Sequence, residues 1–119
     1  MKRQDMFNII VDHLRKQNVK AIDSRGTCMY RKNKLKRAVG CLIPDDIYQP
    51  EMESQSIINL FNNYPKVRKL LGARNIDFLF DMQIIHDKRD VKEWERLWER
   101  YAKTYNVKYT PLEMKYDRI

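Results

Sequence analysis

Asp90-Val91-Lys92-Glu93-Trp94-Glu95-Arg96-Leu97-Trp98-Glu99-Arg100-Tyr101-Ala102-Lys103-Thr104-Tyr105 is the stretch whose reading decides the fold. Trp94, Leu97, Trp98, Tyr101 and Tyr105 recur every three or four residues, so they share one face of an α-helix. Glu95 with Glu99, and Arg96 with Arg100, fall on the wet side. Asp90 stands where an N-cap belongs and Glu93 follows three residues later, the spacing of a capping box. A helix this aromatic on one side must bury that side against other elements.

Moving towards the N-terminus, the same periodicity returns. Phe78, Leu79, Met82 and Ile85 predict a helix over 75–86, with Ile76 and Phe80 widening its stripe, and so broad a belt marks the most buried helix. Pro65 suits a first helical turn and Gly72 a stop, which puts a short helix between them with Val67, Leu70 and Leu71 inside. A further helix is expected over 52–62, facing inward with Ile57, Ile58 and Phe61. Residues 44–53 read as a loop in which Pro44 and Pro50 bracket paired acids. Near the start, Phe7, Ile10, Val11 and Leu14 predict a helix over 4–17 that Asn18 ends.

The middle of the N-terminal half lacks helical spacing. Asp23-Ser24-Arg25-Gly26 is a turn signal. Thr27 to Arg31 favours a strand that Lys32-Asn33-Lys34 turns back onto Leu35 to Arg37 as a hairpin. Ala38 to Ile43 is apolar and closed by Pro44, and a run so short fits a buried helix or a strand. We read it as a short buried helix in which Gly40 permits close backbone approach; as a strand it would complete the hairpin. From Asn106 onward the chain is polar and is expected to be a surface tail. The expected architecture is α+β and predominantly α: one domain over 1–119, with four to five helices and one small hairpin.

Composition narrows the function classes. In 119 residues, 3 glycines and 4 prolines are too few for the many tight turns of a sandwich or barrel. No run approaches the length of a membrane span, so no membrane partner is expected. Asn8, Asp12 and His13 break the apolar stretch behind Lys2 and Arg3, which excludes a secretory signal and implies a cytoplasmic setting with Cys28 and Cys41 as free thiols. The net charge of +8 is lopsided. Residues 1–43 hold eleven Lys and Arg against Asp5, Asp12 and Asp23, while the remainder balances at thirteen of each. That asymmetry implies local attraction to an acidic partner.

Chemical motifs are sparse. Cys28, Cys41, His13 and His86 lack the spacings of zinc sites, and no metal or other cofactor is expected. Arg25, Arg31 and Lys32 would depress the pKa of Cys28 if the thiol were exposed, which keeps a nucleophilic cysteine open. Asp45, Asp46, Glu51 and Glu53 offer carboxylates on one loop, in an order that matches no EF-hand. His86 ends an apolar helix, where the dipole favours it as a structural group. The fullest constellation is basic. Arg15, Lys16 and Lys20, then Arg25, Arg31, Lys32, Lys34, Lys36 and Arg37 around Tyr30, are what a phosphate backbone and a stacked base require. The alternative is a solvated hairpin that binds nothing. No reader motif for sequence-specific recognition accompanies these residues.

Cys28-Met29-Tyr30-Arg31, Ala38-Val39-Gly40-Cys41-Leu42-Ile43-Pro44-Asp45-Asp46, Tyr48 and Met52-Glu53 together resemble a group of small, uncharacterised bacteriophage and prophage proteins. That group carries a C-x-Y-R…C-A-V-G-C-L-I-P-D pattern, and Gln83-Ile84-Ile85-His86-Asp87 with Trp94 is similar to its later L-Q-x-x-H-D…W element. Arg37 replaces a cysteine usual in the group, which argues against a required thiol or metal cluster, and Lys32-Asn33-Lys34 replaces a turn containing Gly and Pro. The resemblance implies a phage origin, hence a host cytoplasm, and no mechanism. Three functions stay open: a non-catalytic phage accessory protein binding nucleic acid first, an inhibitor of a host or anti-phage defence complex, and an enzyme using Cys28 or the acidic loop.

Overall fold

A computed structural model describes residues 1–112. Its elements in chain order are α1 (Arg3–Gln17), a hairpin of β1 (Arg31–Lys32) and β2 (Leu35–Lys36), α2 (Ile57–Asn63), α3 (Pro65–Leu71), α4 (Ile76–Lys88) and α5 (Trp94–Thr104). Short 3-10 turns fill Gly40–Leu42, Pro50–Met52, Ala73–Asn75 and Val91–Glu93. The architecture is therefore predominantly α with one small antiparallel hairpin, as the periodicities predict.

Helix α4 packs between α5 and α2, and α1 lies across the Gly40–Leu42 turn. The inward stripe of α1, Met6, Phe7, Ile10, Val11 and Leu14, is fully buried, and Phe7 meets Phe78 of α4 with ring centroids 6.5 Å apart. Trp94 and Trp98 are buried side by side, and Trp94 stacks on His86 at 5.8 Å. Asn18 ends α1 in the left-handed region (φ 53°) and donates its N–H to Leu14 O at 2.7 Å, the C-cap its position implies. Gly72 (φ 85°) ends α3 in the same spirit.

Several expectations shift. The helix expected over 52–62 begins only at Ile57, because Ser56 caps it by accepting the Asn59 N–H and Pro50–Met52 forms a separate 3-10 turn. Its buried face is Ile57, Leu60 and Phe61; Ile58 points outward, 58% exposed. On α4, Phe80 is 55% exposed rather than part of the inner stripe, and Gln83 and His86 occupy the interior instead. Leu70 is half-buried. The capping box before α5 does not form: Asp90 makes no side-chain cap bond, and a Val91–Glu93 3-10 turn leads into the helix through the Glu93 N–H to Asp90 O bond. The hairpin is shorter than expected, with Asn33 (φ 57°) at its turn and Arg31 facing Lys36.

The run Ala38–Ile43 resolves as a buried 3-10 turn, and Gly40 explains its position. A Cβ at Gly40 would lie 2.0 Å from the Tyr30 carbonyl oxygen, so only glycine lets this turn rest on the backbone leading into the hairpin. Of the tail expected from Asn106, Lys108 exchanges bonds with the Gln4 side chain and Tyr109 packs against the core; residues 113–119 lie outside the described residues.

Residues 18–56 hold little regular structure, so their backbone donors need side-chain acceptors. The Gln17 amide brackets Lys36, accepting its N–H at 2.8 Å and donating to its carbonyl at 2.9 Å. Glu53 accepts the N–H groups of Tyr30 and Arg31 at 2.8 and 3.0 Å. Gln83 Oε1 accepts the Val39 N–H at 3.0 Å, and His86 Nε2 accepts the Ala21 N–H at 3.0 Å. The two last contacts reach from α4 across more than forty residues of sequence, and both are buried.

Candidate functional site

The ten residues expected to form a basic binding surface separate into two sets. Three arginines are turned inward against acids from the rest of the chain. Arg15 makes a fork with Glu95, Nε to Oε2 at 2.8 Å and Nη2 to Oε1 at 2.6 Å, donates to Thr110 O and lies 5.7 Å from the Tyr109 ring centre. Arg31 pairs with Asp45 at 2.7 Å, donates to Ile43 O at 2.5 Å and lies 4.4 Å from the centre of the Tyr48 ring. Arg37 pairs with Asp87 at 3.1 Å, donates to Cys28 O and lies 4.5 Å from the Tyr30 ring centre. Each guanidinium is thus held by a carboxylate, a carbonyl and an aromatic face, a combination that Lys cannot reproduce. Tyr30 is fully buried, with its hydroxyl donating to Gln55 O at 2.6 Å, so it offers no stacking face to a base.

The second set stays outward. Lys16, Arg25 and Lys34 are exposed, and Lys20, Lys32 and Lys36 are half-buried. None of the six makes a salt bridge among the described residues, and Lys20 Nζ donates only to the Asp87 carbonyl at 3.5 Å. The Gln17 bracket fixes the last turn of α1 to β2, which brings Lys16, Lys36 and His13 into one electrostatic neighbourhood. There His13 titrates below its ordinary range, first because it is partly desolvated and then because both lysines repel its proton, against a raising bond to Gln17.

The acidic loop does not assemble as a cation site. Glu53 turns inward to the hairpin backbone and the Tyr48 hydroxyl, Asp45 answers Arg31, and Asp46 and Glu51 are exposed. Among the described residues the one gathering with metal-ligand atoms is Cys28, His86 and Asp87, all within 4.8 Å. Both imidazole nitrogens there are engaged. Nε2 accepts the Ala21 N–H, which leaves Nδ1 to carry the hydrogen toward Asp87 Oδ1 at 2.7 Å. A cation on Nδ1 would move that hydrogen to Nε2 and set two donors face to face. The same bond denies His86 the lone pair a general base needs.

Cys28 is equally unsuited to attack. Its thiol is pushed up to about 11, first by burial and then by the Asp87 charge, which together outweigh Arg37 and Lys20. The depression expected from nearby cations is thereby reversed, because the sequence neighbours Arg25, Arg31 and Lys32 point elsewhere while Asp87 folds in. Cys41 is raised to about 12 by burial. Sequence reasoning passed over Gln17, Gln83 and Glu53 as polar anchors. The available signal was Gln83 on the same helical face as Leu79 and Met82, where a buried amide demands a partner. No family model matches this chain, and neither a curated protein nor a solved structure matches it.

Proposed function

We propose that this chain is a non-catalytic binding protein that meets an acidic partner, nucleic acid first, through Lys16, Lys20, Arg25, Lys32, Lys34 and Lys36. The observation that carries the reading is the outward set: cations with no acid in salt-bridge reach among the described residues, beside arginines paired with acids of the same chain. The partner contact is electrostatic and without base stacking, because Tyr30 is covered. Backbone contacts of this type bind without sequence preference and weaken steeply with salt. The resemblance of the Cys28–Asp46 segment to small phage proteins supports an accessory role in an infected host cytoplasm.

The test is fluorescence anisotropy with labelled single- and double-stranded DNA and RNA over a salt series. Replacing Lys32, Lys34 and Lys36 together by Ala removes three contacts while leaving the main-chain bracket of Gln17 intact. On duplex DNA the log–log salt slope is expected to become shallower by about 2.7, at about 0.9 per contact. Absence of binding at micromolar protein in low salt, or an unchanged slope in the triple variant, refutes the proposal.

A further inference from the structure

Away from the lysines, α2 and α4 enclose a groove of about 340 Å³ lined chiefly by Ile57, Ile58, Ile76, Phe80, Gln83 and Ile84. Phe80 and Ile58 stand at its rim with more than half their surface in water, in a chain of which 34% is charged. Ile76, Phe80 and Ile84 are spaced by four, so they run as one apolar line along α4. With Asp77 and Asp87 also lining it, the groove follows the helix for about 16 Å at 1.5 Å per residue. That is the length of three turns of a facing helix.

Two lining residues carry donors with no acceptor among the described residues. The Gln83 amide cannot be turned round, because its oxygen holds the Val39 N–H; its Nε2 is left without a partner, and Gln83 is 3% exposed. Arg37 Nε is buried and without a partner as well. A buried donor left unmade costs about 1–3 kcal/mol, so an acceptor that reaches either nitrogen on docking is favoured. Asp87 is already engaged by Arg37 and His86, whereas Asp77, on the first turn of α4, is exposed and makes no salt bridge among the described residues. The groove thus asks for a cation at the Asp77 end, an apolar face along its length and an acceptor towards Gln83 and Arg37.

We infer that this groove docks an amphipathic helix of a protein partner, lysine or arginine at the helix end over Asp77 and carboxylate or carbonyl oxygen at the other. Apolar residues at i, i+3 or i+4 and i+7 of that helix lie against Ile76, Phe80, Ile84 and Ile58. None of the six outward cations lines the groove, although Lys20 touches its Asp87 end, so the Phe80 and Ile58 variants test the docking and the Lys32, Lys34 and Lys36 variant tests nucleic-acid binding.

The probe is a fluorescein-labelled synthetic helix of about 16 residues with a leucine face, lysines in its first turn and a glutamate in its last. A peptide of equal composition with the leucine face scrambled is the control. In amide-correlation NMR spectra of the full chain, the peptide is expected to shift Ile58, Phe80, Ile84 and the Gln83 side-chain NH₂. Phe80→Glu and Ile58→Glu, both at exposed positions and so retaining the wild-type circular dichroism and melting temperature, are each expected to weaken it at least about tenfold. Equal affinity for the scrambled peptide, shifts confined to the lysine face, or no binding overturns the inference. So does concentration-dependent dimerisation that Phe80→Glu abolishes, since the groove then belongs to a second copy.

Discussion

Helix α5 joins the core by burying Trp94, Leu97, Trp98 and Ala102, whereas residues 18–56 bury Tyr30, Val39, Leu42, Ile43 and Met52 from two strands of two residues and short 3-10 turns, and answer their backbone through side-chain hydrogen bonds. In the first region each side chain contributes by leaving water, about 1.5–3 kcal/mol for a large apolar group, and position within the stripe matters more than any single partner. In the second, Gln17 and Glu53 each complete two main-chain groups, Gln83 and His86 complete one each, and Arg31 and Arg37 tie the segment down. Apolar packing degrades gradually, while a polar latch fails at a single atom. An irregular segment can therefore be as fixed as a helix, provided that its backbone is answered.

The sharpest way to break the second region is Gly40→Ala. The added methyl would stand 2.0 Å from the Tyr30 carbonyl, so the Gly40–Leu42 turn must lift off the hairpin. A loss of about 3 kcal/mol is expected by urea unfolding, at the upper end for overpacking. Amide exchange should report it through faster opening at Ala21, Tyr30 and Val39 before the amides of α5.

A milder test separates latch from packing. Gln83→Met keeps the length and apolar character of the side chain but removes the acceptor for the Val39 N–H. A loss of at most about 1–2 kcal/mol is expected, because the Val39 donor is left buried and unpaired while the unpartnered Gln83 Nε2 is removed with the amide. Amide exchange separates the two terms: faster opening at Val39 is expected if the amide holds the turn, and unchanged exchange there would mean that the surrounding apolar contacts do.

The smallest effects lie in the pH profile. Cys28 and Cys41 ionise near 11 and 12 in the folded chain, against about 8.5 when unfolded. The folded state therefore holds these protons more tightly; the stabilisation is complete below about pH 8.5 and drains as pH rises towards 11. Melting temperature should decline over that window, and iodoacetamide should label both thiols slowly at neutral pH. On the acid side, Glu95 is pushed up by burial but brought below its usual range by the bonds from Arg15 and Tyr109. With His13 also lowered, the folded chain takes up protons less readily than the unfolded one. Stability should fall first below about pH 6.5 and again below about 4.3. Calorimetry across the range checks both limbs.

The helices were largely legible because hydrophobic periodicity is a local property. Phe7, Ile10, Val11 and Leu14 announce α1, and Trp94, Leu97 and Trp98 announce α5, before any neighbour is known. Periodicity misplaced Ile58 and Phe80, since both are apolar yet stand exposed at the groove that α2 and α4 line. Gly40 was legible as a point of close approach, though not the Tyr30 carbonyl it rests on. The basic surface was half legible: nine cations and Tyr30 could be picked out along the chain, and folding removed Arg15, Arg31, Arg37 and Tyr30 from the surface chemistry.

What the sequence by itself determined is therefore the helical class, the inward stripes, the hairpin and the surplus of cations near the amino end. What only the tertiary structure decided is which of those cations remain available. Arg15 and Glu95 are 80 positions apart, and Arg37 meets an acid on α4. A pairing across such separations depends on the whole chain having closed first, because Coulomb attraction in water is weak until burial lowers the dielectric around both partners. Free lysines and spent arginines look the same in the sequence, and differ only in what the fold brings beside them.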